Sequence, residues 1–392
     1  MKKVSTVLAA MGLSVLVLCP SVLGVAMSES QVSDAMTSGY MAIKAKNFES
    51  AKVIFASIVK DGAKSAKVPE AMKTLGNLQL ETDPATASNT YSLLAKLYPD
   101  TPEAASALYR LGMLGMRTKY LNDARDAFVA AAENKSISES NRGQALLQAG
   151  FVDLMKYYAN EYWDRTDDGI PYVVKPGEAD DKDQYLESAR KQFETTEGLF
   201  AKSKYSAVAA VADAALGEIY LLSGKPALAE VAYRKVLEQY SGVPERLVTL
   251  AHYGLGQALY GQKNLDGALA EYDQALSQFT PGGLSGGLIG FQVAPKRALG
   301  DMHGCKVLTL YGLKRFDEAL TAARKAKIEM EKDSELRDRA VNMDMWEGLI
   351  LCQMDRKAEG LSVLRNVIAE HPDTPYADRA RLVISQFEEG DE

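Results

Sequence analysis

Residues 214–240, AALGEIYLLSGKPALAEVAYRKVLEQY, match residues 253–279, YGLGQALYGQKNLDGALAEYDQALSQF, position by position without a gap. In both stretches a Leu-Gly pair is followed by an alanine thirteen residues after the leucine and by a tyrosine four residues later. Apolar residues spaced by three and four predict amphipathic helices, and the Gly, Lys and Asn residues between them predict a turn. Each stretch is therefore predicted to be a helical hairpin in which an aromatic ring fills the space beside a glycine.

The same spacing recurs along most of the chain, so the hairpin is predicted to be a repeating unit. The other matching sets are Gly39, Ala51 and Phe55; Gly76, Ala87 and Tyr91; Gly112, Ala124 and Phe128; Phe316, Ala319 and Ala323; and Gly348, Gly360 and Leu364. Eight hairpins are predicted, at 30–62, 66–98, 101–134, 138–202, 204–241, 245–279, 296–332 and 335–371. In the fourth, the first helix is predicted to end near Tyr157 and the second to begin near Gln184, after which Ala189 and Phe193 restore the spacing.

Two nearly identical helix starts mark boundaries between hairpins. YPDTPEAAS begins at Tyr98 and HPDTPYADR begins at His371. In the first, Thr101 is suited to cap free N–H groups at a helix start, and Pro102 fits the first turn, where no N–H is needed. The second copy predicts a last helix over 375–387 that covers the end of the stack, since a terminal repeat has no neighbour on its outer face.

These sets of small and aromatic residues resemble the tetratricopeptide repeat family, whose unit is a helix–turn–helix of about 34 residues. The resemblance implies an all-α fold over residues 28–387, an α-solenoid of about eight helical hairpins with a C-terminal capping helix. It also implies that the first helix of each hairpin lines a concave groove where a protein or peptide segment binds.

The resemblance places candidate partner-binding residues on the first helices. They are Tyr109, Met113, Arg117, Glu218, Tyr253, Gln257, Tyr260 and Tyr311. One branch of the family holds a peptide's terminal carboxylate with Lys and Asn on these helices. Positions such as Tyr109, Met113, Tyr253 and Gln257 lack that set, so no such clamp is predicted. A groove with Tyr and Met side chains suits an extended or helical apolar segment.

Two segments interrupt the repeat, and each leaves two interpretations open. Residues 160–182 collect Tyr162, Trp163 and Tyr172 among several aspartates, which predicts either a loop that binds a basic partner or a decorated surface loop. Residues 280–296 combine glycines with apolar residues. They predict either a mobile apolar flap or a segment packed into the chain's own groove.

The N-terminus predicts export from the cytoplasm. Lys2 and Lys3 precede an uncharged apolar stretch, and small residues follow it, as in a secretory signal peptide over residues 1–26. Two alternatives remain, an uncleaved membrane anchor and a lipid attached to Cys19, although Leu18 is larger than the residue that lipoprotein signals carry before the cysteine. We expect a periplasmic or other extracytoplasmic location, and a short acidic tail over residues 388–392.

Charge and motif content argue against several classes of function. The formal net charge of −7 disfavours nucleic acid as a partner, because an acidic chain repels phosphate backbones. The only histidines are His252, His303 and His371, and no metal- or phosphate-binding motif is present. The sequence thus predicts a protein that is not an enzyme and that has no cofactor and no metal. Cys305 and Cys352 fall in apolar helical stretches, which favours inert buried thiols over a disulfide or a metal pair.

The two helix starts are also similar to those of repeat proteins in the envelope of Gram-negative bacteria. Examples are the TolA-binding cell-division coordinator and the repeat lipoprotein of outer-membrane protein assembly, both scaffolds. The resemblance implies an adaptor that binds another envelope protein through its groove, with membrane contact only through a retained N-terminal anchor. Two alternatives remain open: an enzyme or solute-binding protein with a site between residues 160–182 and the groove, and a self-assembling structural component of the envelope.

Overall fold

The computed structural model describes residues 26–62, 64–162, 182–279, 295–334 and 336–388. These ranges hold seventeen α-helices and no β-strand. The helices are α1 (Glu29–Lys44), α2 (Phe48–Asp61), α3 (Val68–Leu80), α4 (Pro84–Leu97), α5 (Pro102–Arg117), α6 (Leu121–Glu133), α7 (Glu139–Tyr162), α8 (Lys182–Phe200), α9 (Ser206–Leu222), α10 (Pro226–Glu238), α11 (Glu245–Gly261), α12 (Leu265–Gln278), α13 (Pro295–Gly312), α14 (Phe316–Glu331), α15 (Arg337–Gln353), α16 (Lys357–Glu370) and α17 (Pro375–Glu388). Most helices that follow each other in the chain pack together. The predicted all-α solenoid of about eight hairpins with a C-terminal capping helix is confirmed.

The chain divides into two compact units. Unit 1 is Met1–Thr196 and unit 2 is Glu197–Glu392. Within the described ranges, unit 1 contains α1–α7 and most of α8, whereas unit 2 contains the end of α8 and all of α9–α17. Each unit has its own buried apolar core, and the large side chains Tyr91 in unit 1 and Tyr272 in unit 2 are almost completely enclosed.

The hairpins close where a glycine of the first helix meets a ring of the second. A Cβ added to Gly256 would lie 2.5 Å from Cε1 of Tyr272, a distance that a real side chain does not tolerate. The same close approach is found at Gly39 with Phe55, Gly76 with Tyr91, Gly112 with Phe128, Gly150 with Phe193 and Gly217 with Tyr233, while Leu364 takes the place of the ring beside Gly348. The predicted pairs are confirmed, and Gly150 supplies the partner of Phe193 that the sequence pattern left unidentified.

In the seventh hairpin, the larger side chain of the pair lies on the first helix and the smaller one lies on the second. Its first helix carries Val307 where the others carry glycine, and its second helix carries Ala323 where the others carry a ring or leucine. Both side chains are fully buried in one apolar cluster of unit 2. The large side chain thus comes from the first helix here.

Each of six hairpins reverses direction through one residue with positive φ. These residues are Lys46, Lys119, Gly224, Lys263, Lys314 and Asp355, with φ between 58° and 66°. Each follows the small residue of its first helix, or Val307, by seven positions. A non-glycine residue is strained in this region because its Cβ approaches the backbone, so the lysines and the aspartate hold an unfavourable conformation that tertiary packing imposes.

The two repeated helix starts adopt the same capping arrangement. Oγ1 of Thr101 accepts a hydrogen bond from the backbone N–H of Ala104 at 3.2 Å, and Oγ1 of Thr374 accepts one from Ala377 at 3.2 Å. Each hydroxyl also donates to the carbonyl three residues earlier, at 2.8 Å and 2.9 Å. The predicted function of the motif, to begin a helix after a hairpin ends, is confirmed.

The fourth hairpin differs from its predicted bounds. Helix α7 continues past Tyr157 to Tyr162, because residues 159–161 contain no glycine or proline that would end it. Helix α8 begins at Lys182 rather than near Gln184. Trp163 and Tyr172 lie outside the described residues, as do residues 280–294 and the N-terminal segment with Cys19. Of Tyr162 only the backbone is described.

Candidate partner-binding surface

The predicted groove residues fall into two sets, one in each unit. Tyr109, Met113 and Arg117 lie on α5, and we call them the unit 1 face. The unit 2 face consists of Glu218 on α9, of Tyr253, Gln257 and Tyr260 on α11, and of Tyr311 on α13. Helices α9, α11 and α13 are first helices of successive hairpins and touch one another in that order. The unit 2 face is therefore one continuous row, whereas the unit 1 face is a strip along one helix.

Tyr253 is held by its neighbours on the unit 2 face. Nε2 of Gln257 donates to the Tyr253 hydroxyl at 3.1 Å, and that hydroxyl lies 3.9 Å from Sγ of Cys305. The ring also packs on Tyr272, with 6.1 Å between the ring centroids. Burial raises the pKa of Tyr253. The side chain thus links α11 to α12 and α13, and a partner on this row would meet Gln257 and Tyr260 beside it.

Cys305 is a free thiol enclosed by these tyrosines. Burial raises the pKa of the Cys305 thiol, and hydrogen bonding with Tyr253 and Tyr272 only partly opposes that shift. Burial likewise raises the pKa of Cys352, the other described free cysteine. A raised pKa leaves little thiolate at neutral pH, so both thiols act as apolar packing groups.

Tyr311 ends the unit 2 face within an aromatic cluster. Its ring packs edge-on against Phe316, with centroids 5.6 Å apart, and at a tilt against Trp346, with centroids 5.7 Å apart. Tyr311 is half-buried, as are Glu218, Gln257 and Tyr260. The row thus presents the edges of aromatic and amide side chains, which suits contact with an apolar segment.

The unit 1 face is more open and more basic. Tyr109 packs edge-on against Phe128 with centroids 5.3 Å apart, and burial raises its pKa. Met113 is 36% exposed, and Arg117 is exposed at the end of α5. Met113 and Arg117 are therefore directly accessible, whereas Tyr109 mainly joins α5 to α6.

Three residues on the same side of unit 1 were not among the predicted groove residues. They are Lys73 and Asn77 on α3, and Arg110 on α5. Oδ1 of Asn77 accepts a hydrogen bond from the Tyr91 hydroxyl at 2.7 Å, and Nζ of Lys73 lies 3.8 Å from Oε1 of Glu103 on α5. Lys73 lies three residues before Gly76 and Asn77 one residue after it, which is the spacing of Tyr109 and Met113 from Gly112. The repeat spacing that identified Tyr109 and Met113 would therefore also have identified Lys73 and Asn77.

A buried acidic residue anchors the connection after α10 in unit 2. Only 1% of Asp213 is exposed, and its Oδ2 accepts a hydrogen bond from the Tyr240 hydroxyl at 2.5 Å. Nζ of Lys235 lies 3.5 Å from Oδ1 of Asp213 and 3.2 Å from Oε1 of Glu197. Burial raises the pKa of Asp213, while the Tyr240 hydrogen bond and the Lys235 charge lower it. The carboxyl group is thus committed to internal partners.

Unit 1 contains a comparable arrangement around Asp153 on α7, which is 1% exposed. Nε of Arg125 donates to Oδ2 of Asp153 at 2.9 Å, and the Ser188 hydroxyl donates to the same oxygen at 2.6 Å. These bonds tie α6, α7 and α8 together. Burying a charged group is tolerated only when it is paired in this way, which assigns Asp153 a structural role.

Histidines and acids do not form a metal-binding cluster anywhere in the part of the chain that the structure describes. Nδ1 of His252 lies 2.6 Å from Oε2 of Glu271, and burial lowers the pKa of His303. Over the same residues, none of the helices combines the length and the apolar content that a membrane span requires.

These features first define a class: the protein is an all-α repeat protein whose helical hairpins close around small residues. Residues 214–283, which include Tyr233 and Tyr272, match the tetratricopeptide repeat family. The match supports the tetratricopeptide repeat family for this chain, and repeats of this kind serve as surfaces for protein or peptide partners. No curated protein matches the sequence.

Solved structures are similar to this chain at low sequence identity. The apo form of RapI aligns with a TM-score of 0.51 and 14% identity, over 91% of this chain and 97% of RapI. A tetratricopeptide repeat protein from Parabacteroides merdae aligns with a TM-score of 0.42 and 11% identity, over 80% of this chain and 98% of that one. A chain of the APC/C hetero-tetramer Cut9–Hcn1 aligns with a TM-score of 0.45 and 14% identity, over 86% of this chain and 52% of the other. This chain therefore spans about half the length of that one. The similarity to RapI supports the fold alone.

Proposed function

We propose that this protein is a non-catalytic scaffold that acts outside the cytoplasm and binds a segment of another envelope protein on its first helices. The observation that carries the proposal is the tetratricopeptide repeat match over residues 214–283, because the first helices there supply every residue of the unit 2 face except Tyr311. The signal-like residues 1–26 support an extracytoplasmic location. The similarity of the helix starts at Tyr98 and His371 to those of envelope scaffolds supports the kind of partner.

The chemistry of the polar side chains also favours a scaffold. Asp153 and Asp213 are each bonded to internal donors, and the Cys305 thiol has a raised pKa. Groups that act in catalysis need a pKa suited to proton transfer and access to a substrate. These buried groups instead hold helices together, and the accessible groups are of the kind that contact a partner surface.

Site-specific photo-crosslinking tests where a partner binds. A photoreactive amino acid is placed at Met113 or Tyr260 on first helices, or at Lys96 or Glu238 on second helices as matched controls. All four positions are at least partly exposed. We expect the first-helix positions to capture a specific envelope protein in cells and the second-helix positions to capture none. Equal capture from both sets would exclude the first helices as the binding surface.

The location is tested separately by sequencing the N-terminus of the mature protein from fractionated cells. We expect a chain that begins close to residue 27 and that protease reaches from outside the cytoplasmic membrane. An intact N-terminus in the cytoplasmic fraction would contradict the proposed location, whereas an intact N-terminus in the membrane fraction would favour the retained anchor.

A further inference from the structure

Two arginines of α5 lack the carboxylate partner that most other arginines have. Arg110 and Arg117 are both exposed, and within the described ranges neither guanidinium pairs with an acidic side chain. Nine other arginines in those ranges do form such a pair. The two positive charges are thus available to pair with a carboxylate of another molecule, although the net charge of the chain is −7.

The two guanidinium groups belong to one strip of the helix. Arg110 and Arg117 are seven residues apart, which is almost two turns and a rise of about 10.5 Å along the axis. Met113, 36% exposed, lies between them on the same side because residues spaced by three and four share a helix face. We call Arg110, Met113 and Arg117 the α5 strip.

A hydrogen-bond donor on α3 adjoins this strip. Helices α3 and α5 are in contact, and Oδ1 of the exposed Asn77 accepts the Tyr91 hydroxyl. Burial raises the pKa of Tyr91 to about 12, and the positive charge of Arg110 acts in the opposite direction. The Asn77 oxygen is thus occupied by the Tyr91 hydroxyl, which leaves the Asn77 amide nitrogen as a donor on the helix that packs against the strip.

We propose that the α5 strip and Asn77 bind an acidic segment of the partner protein through its side-chain carboxylates. This inference rests on the proposed scaffold function and gives the chemistry of one partner segment. Arginine forms strong paired hydrogen bonds with carboxylates. In an extended segment, residues i, i+2 and i+4 lie on the same face, with about 13 Å between the first and the last. Two acidic residues at that spacing reach Arg110 and Arg117, and an apolar residue between them contacts Met113. Lys73 contributes less because Glu103 already lies 3.8 Å from it.

Binding is measured with the full chain and three fluorescent probes. The first is a peptide with two glutamates four residues apart and a leucine midway between them, so that all three side chains share one face when the peptide is extended. The second peptide replaces both glutamates with glutamine, and the third probe is a single-stranded oligonucleotide. Both peptides have acetylated and amidated ends, so only side chains carry charge. We expect the acidic peptide alone to bind, and its affinity to fall severalfold from about 50 to about 300 mM salt, since salt screens exposed charges. Equal binding of the glutamine peptide, or stronger binding of the oligonucleotide, would overturn the proposal.

A charge-matched pair of variants locates the site. Arg110→Ala/Arg117→Ala removes the cations of the strip, and Lys60→Ala/Lys96→Ala removes two exposed cations from the second helices α2 and α4. The first variant is expected to weaken binding of the acidic peptide at least about tenfold, as loss of a charge-assisted hydrogen bond does, and the second less than about twofold. Thermal melts confirm that both variants fold. Equal weakening in both variants would overturn the proposal.

The experiments distinguish a failure of the acidic-segment assignment from a failure of the scaffold function. If the acidic peptide fails to bind while crosslinking at Tyr260 still captures an envelope protein, only the assignment of the acidic segment is wrong. If crosslinking from every first-helix position also fails, the scaffold function itself is wrong.

Discussion

The ring of Tyr233 lies between two glycines of successive hairpins, Gly217 on α9 and Gly254 on α11. A Cβ on Gly217 would lie 2.6 Å from Cζ of Tyr233, and a Cβ on Gly254 would come closer still to the same atom. The ring is buried and shielded from water, which raises the pKa of its hydroxyl well above the usual value. One side chain thus closes its own hairpin and fixes the distance to the next.

Replacing Gly254 with alanine should destabilise unit 2 by about 1–3 kcal/mol, because an added methyl group would overlap the Tyr233 ring in a close-packed interface. Urea denaturation followed by circular dichroism gives the free energy of unfolding. Alanine favours helix more than glycine does, so any loss of stability reports the overlap.

The matched control for that variant is Gly198→Ala on α8. A Cβ at Gly198 would meet no atom within 4 Å, so we expect this substitution to stabilise the protein by up to about 1 kcal/mol through helix propensity alone. If both variants are stabilised equally, Tyr233 does not fill the space between the hairpins as the structure indicates.

The hairpin turns offer a stabilising substitution. Lys263 has a φ of 64°, which glycine adopts without strain. Lys263→Gly should therefore raise the free energy of unfolding by about 1 kcal/mol. The opposite change, Gly224→Ala, affects the equivalent turn of the preceding hairpin, where φ is 66° and no atom lies within 4 Å of the added Cβ. It should lower stability by about 1 kcal/mol or more. Changes of the same sign in the two variants would show that φ does not determine the energy of this turn.

The hairpins could be predicted from the sequence because their contacts follow a fixed spacing. Gly256 and Tyr272 lie sixteen residues apart, as do Gly112 and Phe128, and the structure brings each pair together. The helix starts at Thr101 and Thr374 were also predictable, since a cap depends on a few adjacent residues.

Other features depend on contacts that have no fixed spacing. The bond from Tyr240 to Asp213 joins a loop to a helix 27 residues earlier, and no repeat of that spacing marks it. Val307 occupies the position of the glycine and Ala323 the position of the ring, so a search for a small residue in the first helix misses this pair. The groove residues were assigned from the register alone, which does not reveal that Tyr253 is bonded to Gln257.

Asp213 should make stability depend on pH in one direction. Burial raises its folded pKa, so the folded protein holds this proton more tightly than the unfolded chain does. The contribution of the group to stability is then greatest below its unfolded pKa of about 4 and decreases as pH rises through the folded pKa. Asp213→Asn removes the titration and keeps an oxygen that can accept from Tyr240, so the variant should lose less stability than wild type as pH rises from about 4 to about 7.

Urea midpoints measured at intervals over that range compare the two slopes. Asp373→Asn controls for the loss of one carboxyl group at an exposed position, on the connection before α17. A slope for Asp213→Asn that equals the wild type would show that the Asp213 carboxyl titrates alike in the folded and unfolded chains.

A double-mutant cycle in the seventh hairpin tests whether the side chains of Val307 and Ala323 pack against each other. Ala323→Phe alone should destabilise unit 2 by about 1–3 kcal/mol, because the ring meets the buried Val307. Val307→Gly alone should cost at least about 1 kcal/mol through the cavity and the lost helix propensity. The double variant restores the glycine-and-ring pair of the other hairpins, so its loss of stability should be smaller than the sum by at least about 1 kcal/mol. Ala323→Phe combined with Gly198→Ala should be additive, because an added Cβ at Gly198 meets no atom within 4 Å. Additive effects in both cycles would mean that Val307 and Ala323 occupy separate spaces, and that the seventh hairpin closes in a different way from the rest.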